Sequence, residues 1–364
     1  MKKILFPFLV GLILSGCGVN KSSFNSLKKY SPERLNEDYR VFETLVKEKH
    51  PGLYWYASPG QIDSAFATGK EALRDSMTER NFRKVLSYVY STIDCGHSSV
   101  RPSRKYERRL DSLRLLAFPL SLKIWKDTAV VTGNLNRKDS ILTRGTVITA
   151  IDSVSIEKLA DTMFRYIPSD GYNLTHKYQT LSNGGSFGTI YTTLFGLKKN
   201  YTIDYIDSLG QHQSLTVPVF DPRKDSSLRR AISRYKQITK KERKKRTREL
   251  TRRLETDSLM NTGYMTLNSF SNGTALKHFF RTSFRRLRKK HIQNLVIDVR
   301  GNGGGNVGNS TLLTKYIAQK PFKLADSLYA VNRRSDYRKY IQHDFFNRLF
   351  ISFFTRKKAD GKYH

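Results

Sequence analysis

The chain has 364 residues, 38% of them hydrophobic, which is enough for two or three domains with cores of their own. Its formal net charge of +34 would ordinarily raise nucleic acid as a partner. Two cysteines, Cys17 and Cys95, exclude a disulfide-built scaffold.

In chain order, Lys2 and Lys3 precede an apolar run from Ile4 to Leu14, followed by Ser15-Gly16-Cys17. A basic start, an apolar stretch too short for a permanent span and small residues before a cysteine describe a secretory signal. The ending resembles a bacterial lipobox, which implies cleavage before Cys17 and a thiol that carries lipid. Residues 1–16 are then the signal peptide and 17–30 a polar tether. The expected location is the cell envelope, lipid-anchored, on the periplasmic side. That address argues against nucleic acid, because an exported lipoprotein meets anionic lipid and envelope polymers first. With Cys17 acylated, Cys95 has no intramolecular disulfide partner. A Cys95/His97 nucleophilic pair is conceivable on residue type. Two residues apart in one turn, however, they are badly placed to share a proton, so Cys95 is expected buried and inert.

Ser31-Pro32-Glu33-Arg34 carries helix-start signals, a hydroxyl cap and proline at the first position. Leu35, Tyr39, Phe42, Leu45 and Val46 keep helical spacing until His50-Pro51-Gly52 stops it. Ala65 to Met77 and Phe82 to Ile93 read as two more amphipathic helices. Residues 31–115 are thus expected as a helical domain.

Strand-like runs follow at Leu120–Trp125, Ala129–Thr132, Val147–Ile151 and Tyr201–Tyr205. Gly145-Thr-Val-Ile-Thr-Ala-Ile-Asp-Ser-Val-Ser155 leads into a helix from Glu157 to Tyr166. This stretch resembles the second half of a PDZ domain, and residues 116–221 are expected as a PDZ-like, β-rich domain. Asp152-Ser153 replaces the usual turn pair there. Leu116-Ala-Phe-Pro-Leu120 stands where a carboxylate-binding loop would be, and Pro119 has no N–H to donate.

Arg223 to Glu255 carries fifteen Lys or Arg against four Asp or Glu. Its apolar residues, Leu228, Ile232, Tyr235, Ile238, Leu250 and Leu254, fall partly at helical intervals. Residues 222–258 read as a solvated basic helical connector suited to a membrane surface.

Beyond it, Thr262–Phe270 reads as a strand, and Leu276, Phe279, Phe280, Phe284 and Leu287 keep helical spacing. Leu295 to Val299 has the look of a buried strand. Strand, helix, strand with one crossover implies parallel pairing in an α/β sheet. Gly301, Gly303, Gly304 and Gly305 follow, interrupted by Asn302, and a helical segment comes next. Such a loop exposes backbone N–H groups at a positive helix end, which suits a phosphate, a carboxylate or the oxyanion of acyl transfer. A P-loop is excluded because Asn306-Val307, not Lys-Ser/Thr, follows Gly305. A dinucleotide fingerprint fails at its third glycine.

Ile297-Asp298-Val299-Arg300-Gly301-Asn302-Gly303-Gly304-Gly305 resembles the signature of the tail-specific, or C-terminal processing, serine proteases, tricorn-like relatives included. The resemblance implies that the glycine loop supplies an oxyanion-hole N–H, with Gly304 the first candidate and Gly303 and Gly305 its neighbours. It also implies that 259–364 is a partial α/β protease core of crotonase-like ββα type. Asp94-Cys95-Gly96-His97-Ser98 resembles an Asp-Gly-His-Thr element of these proteases, with Cys95 intruding and Ser98 for Thr. His97 would then be general base to a serine, and Gly96 suits the C-terminal cap of the Phe82 helix.

The family's nucleophile sits beyond a further strand, and none of Ser310, Ser327, Ser335 or Ser352 has that setting. Gly308-Asn-Ser310 looks like a helix start with Ser or Asn as cap. The chain is therefore expected to stop before the nucleophile of its family. The whole describes an α+β multidomain serine-type peptidase of the envelope, acting on peptides or proteins. No cofactor or metal is expected, since no His/Cys/Asp cluster has ligand spacing. The alternative is a non-catalytic envelope binding lipoprotein on the same scaffold.

Overall fold

A computed structural model describes residues 24–112, 115–225, 238–325, 329, 337, 340 and 356–363. The signal peptide, Cys17, residues 226–237, Ser327, Ser335 and Ser352 lie outside the described residues. The chain divides into two compact units, residues 1–226 and 227–364. Both are mixed α/β.

The first unit begins with strand β1 (Lys29–Tyr30), paired antiparallel with β2 (Met77–Thr78). The end of the expected tether is thus part of the fold. Helix α1 (Pro32–Lys49) stops where Pro51 forces His50 into an extended conformation. The Ser31 hydroxyl does not cap it. That hydroxyl bonds the Glu33 carboxylate instead and lowers its pKa.

Helix α2 (Pro59–Glu71) starts earlier than its apolar spacing suggests, because Ser58 and Gln61 form a reciprocal capping box around Pro59. Helices α3 (Glu79–Ser91) and α4 (Arg104–Ser112) follow. Leu35, Tyr39, Val46, Ile62, Phe66, Leu73, Val89 and Ile93 make the core of this part. The buried Tyr39 hydroxyl donates to the Phe66 carbonyl at 2.7 Å. Gly69 is obligatory beside it, since a Cβ there would overlap the Tyr39 oxygen and crowd Val89.

The β-rich part is an antiparallel sheet built from β3 (Leu120–Ile124), β4 (Ala129–Asn134), β5 (Val147–Ile151), β6 (Val154–Ser155), β7 (Asn200–Ile206) and β8 (His212–Pro218). Its order is β3-β4-β5-β7-β8, with β6 turned back on β5. Asp152 and Ser153, both at positive φ (52° and 65°), make the two-residue turn between β5 and β6. Asp152 also accepts the Thr202 N–H (2.9 Å), the Tyr191 hydroxyl (2.6 Å) and Lys198 Nζ (2.8 Å). Burial raises its pKa, but these partners outweigh burial and hold the carboxyl below its usual range.

Helices α5 (Ile156–Phe164), α6 (Leu174–Leu181) and α7 (Ser186–Phe195) contribute Leu159, Met163, Leu181, Phe187 and Tyr191 to the same core as Leu122, Ile148 and Tyr201. The helical and β-rich parts, expected as separate domains, are tied within one unit. Ser91 Oγ donates to the Arg165 carbonyl at 2.6 Å and Lys84 Nζ to that of Leu194 at 3.2 Å. Gly171 N–H donates to the Asp94 carbonyl at 2.8 Å.

The second unit corrects the connector. Its helix α8 spans Lys240–Thr251, and Arg252–Asp257 is a strand, β9, not helix. The reason is tertiary: β9 pairs along its whole length, antiparallel, with β10 (Thr262–Leu267). Helix α9 (Leu276–Lys289) then crosses to β11 (Asn294–Asp298), which pairs parallel with β10 as expected. Met265, Leu267, Leu276, Phe280 and Leu313 are buried together. Strand β11 is less covered than its apolar run implies: Val296 is 49% exposed, and β11 is an edge strand among the described residues.

Candidate active site

Two loops carry the expected chemistry, one in each unit. In the second unit the glycine loop leaves β11 and enters helix α10 (Val307–Ile317). Asp298 opens it. Its carboxylate accepts from the Arg300 N–H (3.0 Å), Nε (3.0 Å) and Nη2 (2.9 Å). The Arg300 guanidinium holds the Asp298 pKa down at about 2.

Asn302 then staples the loop to β10. Its Nδ2 donates to the Leu267 carbonyl at 3.0 Å while its Oδ1 accepts the Gly304 N–H at 2.8 Å. Phe270 closes the far side. Its N–H donates to the Gly304 carbonyl at 2.9 Å, and its own carbonyl accepts the Asn306 N–H at 3.0 Å. Gly304 (φ 97°) and Gly305 (φ 143°) take backbone conformations that favour glycine. At Gly305 there is no room for a Cβ, which would sit on the Phe270 carbonyl carbon and the Ser271 nitrogen.

The consequence for the three candidates is specific. The Gly304 N–H is already donated to Asn302. The N–H groups of Gly303 and Gly305 have no hydrogen-bond partner among the described residues. Asn306, not Ser310, caps α10, accepting the Gly308 N–H at 2.9 Å. Ser310 lies inside the first turn, where its hydroxyl donates to the Val307 carbonyl at 2.9 Å.

Two serines that are remote in sequence also reach this loop. Ser269 Oγ donates to Ser271 Oγ at 2.9 Å and lies 3.5 Å from the Gly304 carbonyl oxygen. The sequence signal that could have found Asn302 is its position between glycines, where Asn side chains close local turns.

In the first unit, His97 lies in a turn after α3. The Ser98 N–H donates to the Cys95 carbonyl at 3.0 Å, which puts Gly96 and His97 at the apex. Gly96 is not the helix cap. The helix ends at Thr92, and the left-handed residue that redirects the chain is Asp94 (φ 51°). Position 96 is tight for another reason. Its N–H donates to Asp170 Oδ1 at 2.8 Å, and a Cβ would lie 3.2 Å from the Asp170 nitrogen.

Asp170 therefore joins the His97 turn, a partner that the sequence reading missed, and lies 3.7 Å from His97 Nδ1. The His97 ring is 90% exposed. Cys95 is a half-buried free thiol against the helical core rather than a fully buried one. Next to it, Ser98 Oγ and His50 Nε2 are 3.0 Å apart, and burial lowers the His50 pKa.

Residues 261–354 match the model of peptidase family S41. This is the family of the tail-specific proteases, and it covers β10, α9, β11, the glycine loop and α10. Among solved structures the chain is similar to mature CPAF complexed with lactacystin, at 12% identity over 78% of this chain, with a TM-score of 0.49. A point mutant of CPAF gives 11% identity over 76% of this chain and a TM-score of 0.50, which shows likeness of fold alone. The chain spans 59% and 57% of the lengths of those two structures. No curated protein matches.

Proposed function

We propose that this chain carries the glycine loop and the general base of an envelope-located serine-type peptidase that works by acyl transfer, with no serine of the chain assigned as its nucleophile. The observation that carries the reading is the glycine loop. It is pinned by Asn302 and Phe270 at the end of a parallel strand, with the Gly303 and Gly305 N–H groups left without partners among the described residues. Fixed donors of that kind stabilise a developing oxyanion without reorganising during the reaction. Gly304 contributes its conformation, and its N–H is open to a ligand if Asn302 lets go. His97 is the general base, with the Asp170 carboxylate 3.7 Å from its Nδ1. Substrates are peptides or proteins, and no nucleic acid is bound.

The β-rich part is a PDZ-like scaffold rather than a receptor for peptide C-termini. Two features support this. Ala117 and Phe220 exchange both backbone hydrogen bonds, and Phe118 is buried against Phe187, Tyr191 and Tyr201. The Ala117 N–H at that position is therefore already donated, and the Phe118 side chain is committed to the core. The order of Lys2, Lys3, the apolar run and Cys17 supports a lipid anchor. Exposed Lys240, Lys241, Lys244 and Lys245 on α8 suit an anionic membrane surface nearby.

The test is peptide hydrolysis by the protein produced from its natural gene, comparing the parent with His97→Ala and His97→Gln. Loss of the base should lower kcat by about two to four orders of magnitude with KM little changed. A folded His97→Ala protein with parental kcat would remove His97 from the mechanism.

A further inference from the structure

The turn at Cys95 holds chemistry that the peptidase reading does not use. Cys95 Sγ, a His97 ring nitrogen and an Asp170 carboxylate oxygen all lie within 4.8 Å of one another. We propose that Cys95, His97 and Asp170 form a binding site for one zinc-class divalent cation, with three protein ligands and an open fourth position.

The donor set is the first argument. A thiolate, an imidazole and a carboxylate are the ligand types that select a borderline ion such as Zn²⁺ over Mg²⁺ or Ca²⁺, which take oxygen ligands. The second is how the two segments are held. Asp170 arrives from a loop more than seventy residues away, yet two backbone bonds fix it against the turn. These are Gly96 N–H to Asp170 Oδ1 and Gly171 N–H to the Asp94 carbonyl, both 2.8 Å. Oδ1 accepts from Gly96 and also faces His97 Nδ1 at 3.7 Å, so the carboxylate is held toward the imidazole.

Bonds of about 2.0–2.3 Å in a tetrahedral shell place ligand atoms roughly 3.5 Å apart. Closing from 4.8 Å therefore asks for about 1 Å of movement, and the exposed His97 ring can supply it by rotation. Binding replaces the thiol proton, which leaves to solvent, with a metal–sulfur bond. No electron is transferred.

A cysteine nucleophile is the competing use of the same atoms, and the turn argues against it. The backbone N–H next to the thiol, that of Gly96, is already donated to Asp170, so an acyl transfer at Cys95 would lack its adjacent oxyanion donor. One consequence rests on the peptidase reading: an ion on the imidazole would take the proposed base out of service. The site itself does not depend on that reading.

The experiment is a titration of the reduced, full-length protein with Co²⁺ alone, followed by optical absorption, so no turnover is needed. The expected result is a thiolate-to-cobalt charge-transfer band with strong four-coordinate visible bands. Both should saturate at one equivalent and be displaced by Zn²⁺. The signal should survive Cys17→Ser and lose its charge-transfer band in Cys95→Ser. Asp170→Asn keeps an acceptor for Gly96 N–H and should weaken binding by about tenfold or more. Absence of a thiolate band at one equivalent, or its persistence in Cys95→Ser, would overturn the site.

Discussion

Adding a single methyl group along the glycine loop separates three glycines that look alike in sequence. At Gly303 a Cβ meets nothing within 4 Å, and the backbone is ordinary, so Gly303→Ala should change stability by no more than about 0.5 kcal/mol. At Gly304 the space is also open but φ is 97°, so alanine carries conformational strain of about 1–2 kcal/mol. At Gly305 the φ of 143° adds similar strain, and the Cβ lands on the Phe270–Ser271 peptide. That peptide cannot retreat without losing the Phe270-to-Gly304 bond or the Asn306-to-Phe270 bond, a further roughly 1–3 kcal/mol. Gly305→Ala should therefore cost about 2–5 kcal/mol in total.

Hydrogen–deuterium exchange read by mass spectrometry on fragments covering residues 262–270 and 301–310 measures this locally. Each 1.4 kcal/mol corresponds to about a tenfold loss of protection where opening is at equilibrium. The order Gly303, Gly304, Gly305 is the result expected. Equal effects at all three, or the largest at Gly303, would refute the geometry described for the loop.

Asp152 gives a prediction in pH. Its folded pKa lies below the unfolded value, so its contribution is present above about pH 4 and is lost as pH falls through the lowered value. Asp152→Asn should flatten the acid limb of stability, and Asp152→Ala, which orphans the Thr202 N–H and the Tyr191 hydroxyl, should cost about 2–3 kcal/mol near neutrality. Denaturant midpoints collected from about pH 2 to pH 7 check both, and parallel curves for parent and Asp152→Asn would count against the assignment. Cys17→Ser should release the protein from membranes or leave its signal uncleaved. A variant that is processed and still fractionates with membranes like the parent would end the lipid-anchor reading.

How far the fold could be read in advance depended on whether local pattern and tertiary pairing agreed. Strands β3, β5, β7 and β10 alternate or run apolar and were legible, as was the parallel β10–β11 pairing implied by one helical crossover. Strand β9 was not. Arg252-Arg-Leu-Glu-Thr-Asp257 continues the charge pattern of α8, and only its pairing with β10 makes it a strand. Strand β8 is polar and pairs with β7 alone, so little of it faces a core.

Helix α7 carries Thr189, Ile190, Thr192 and Thr193, residues that favour strands, and contains Gly188. Its helix is fixed by packing, since Gly188 is where Phe118 approaches, with a Cβ there only 2.8 Å from that side chain. Such contacts between residues seventy apart leave no trace in local periodicity.

The site shows the same division for a chemical reason. A glycine loop is a contiguous device: its conformations, its cap at Asn306 and its staple at Asn302 all lie within a dozen residues, so the string of letters carries most of it. A histidine's role is set by what stands beside its ring. The partner of His97 is Asp170, held by a backbone N–H of Gly96 in a contact that no spacing rule encodes. The same contact changes what the intervening residues mean. Cys95 reads as a lone, inert thiol while only its own turn is considered. Once Asp170 is placed, it becomes one of three ligand atoms converging from two segments. Gly96, which suits a helix cap on sequence, instead leaves room for Asp170, whose nitrogen would lie 3.2 Å from a Cβ there. The chemistry available at His97, whether as a base or as a metal ligand, is therefore decided by the packing of the helical part on the β-rich part and not by the motif that drew attention to it.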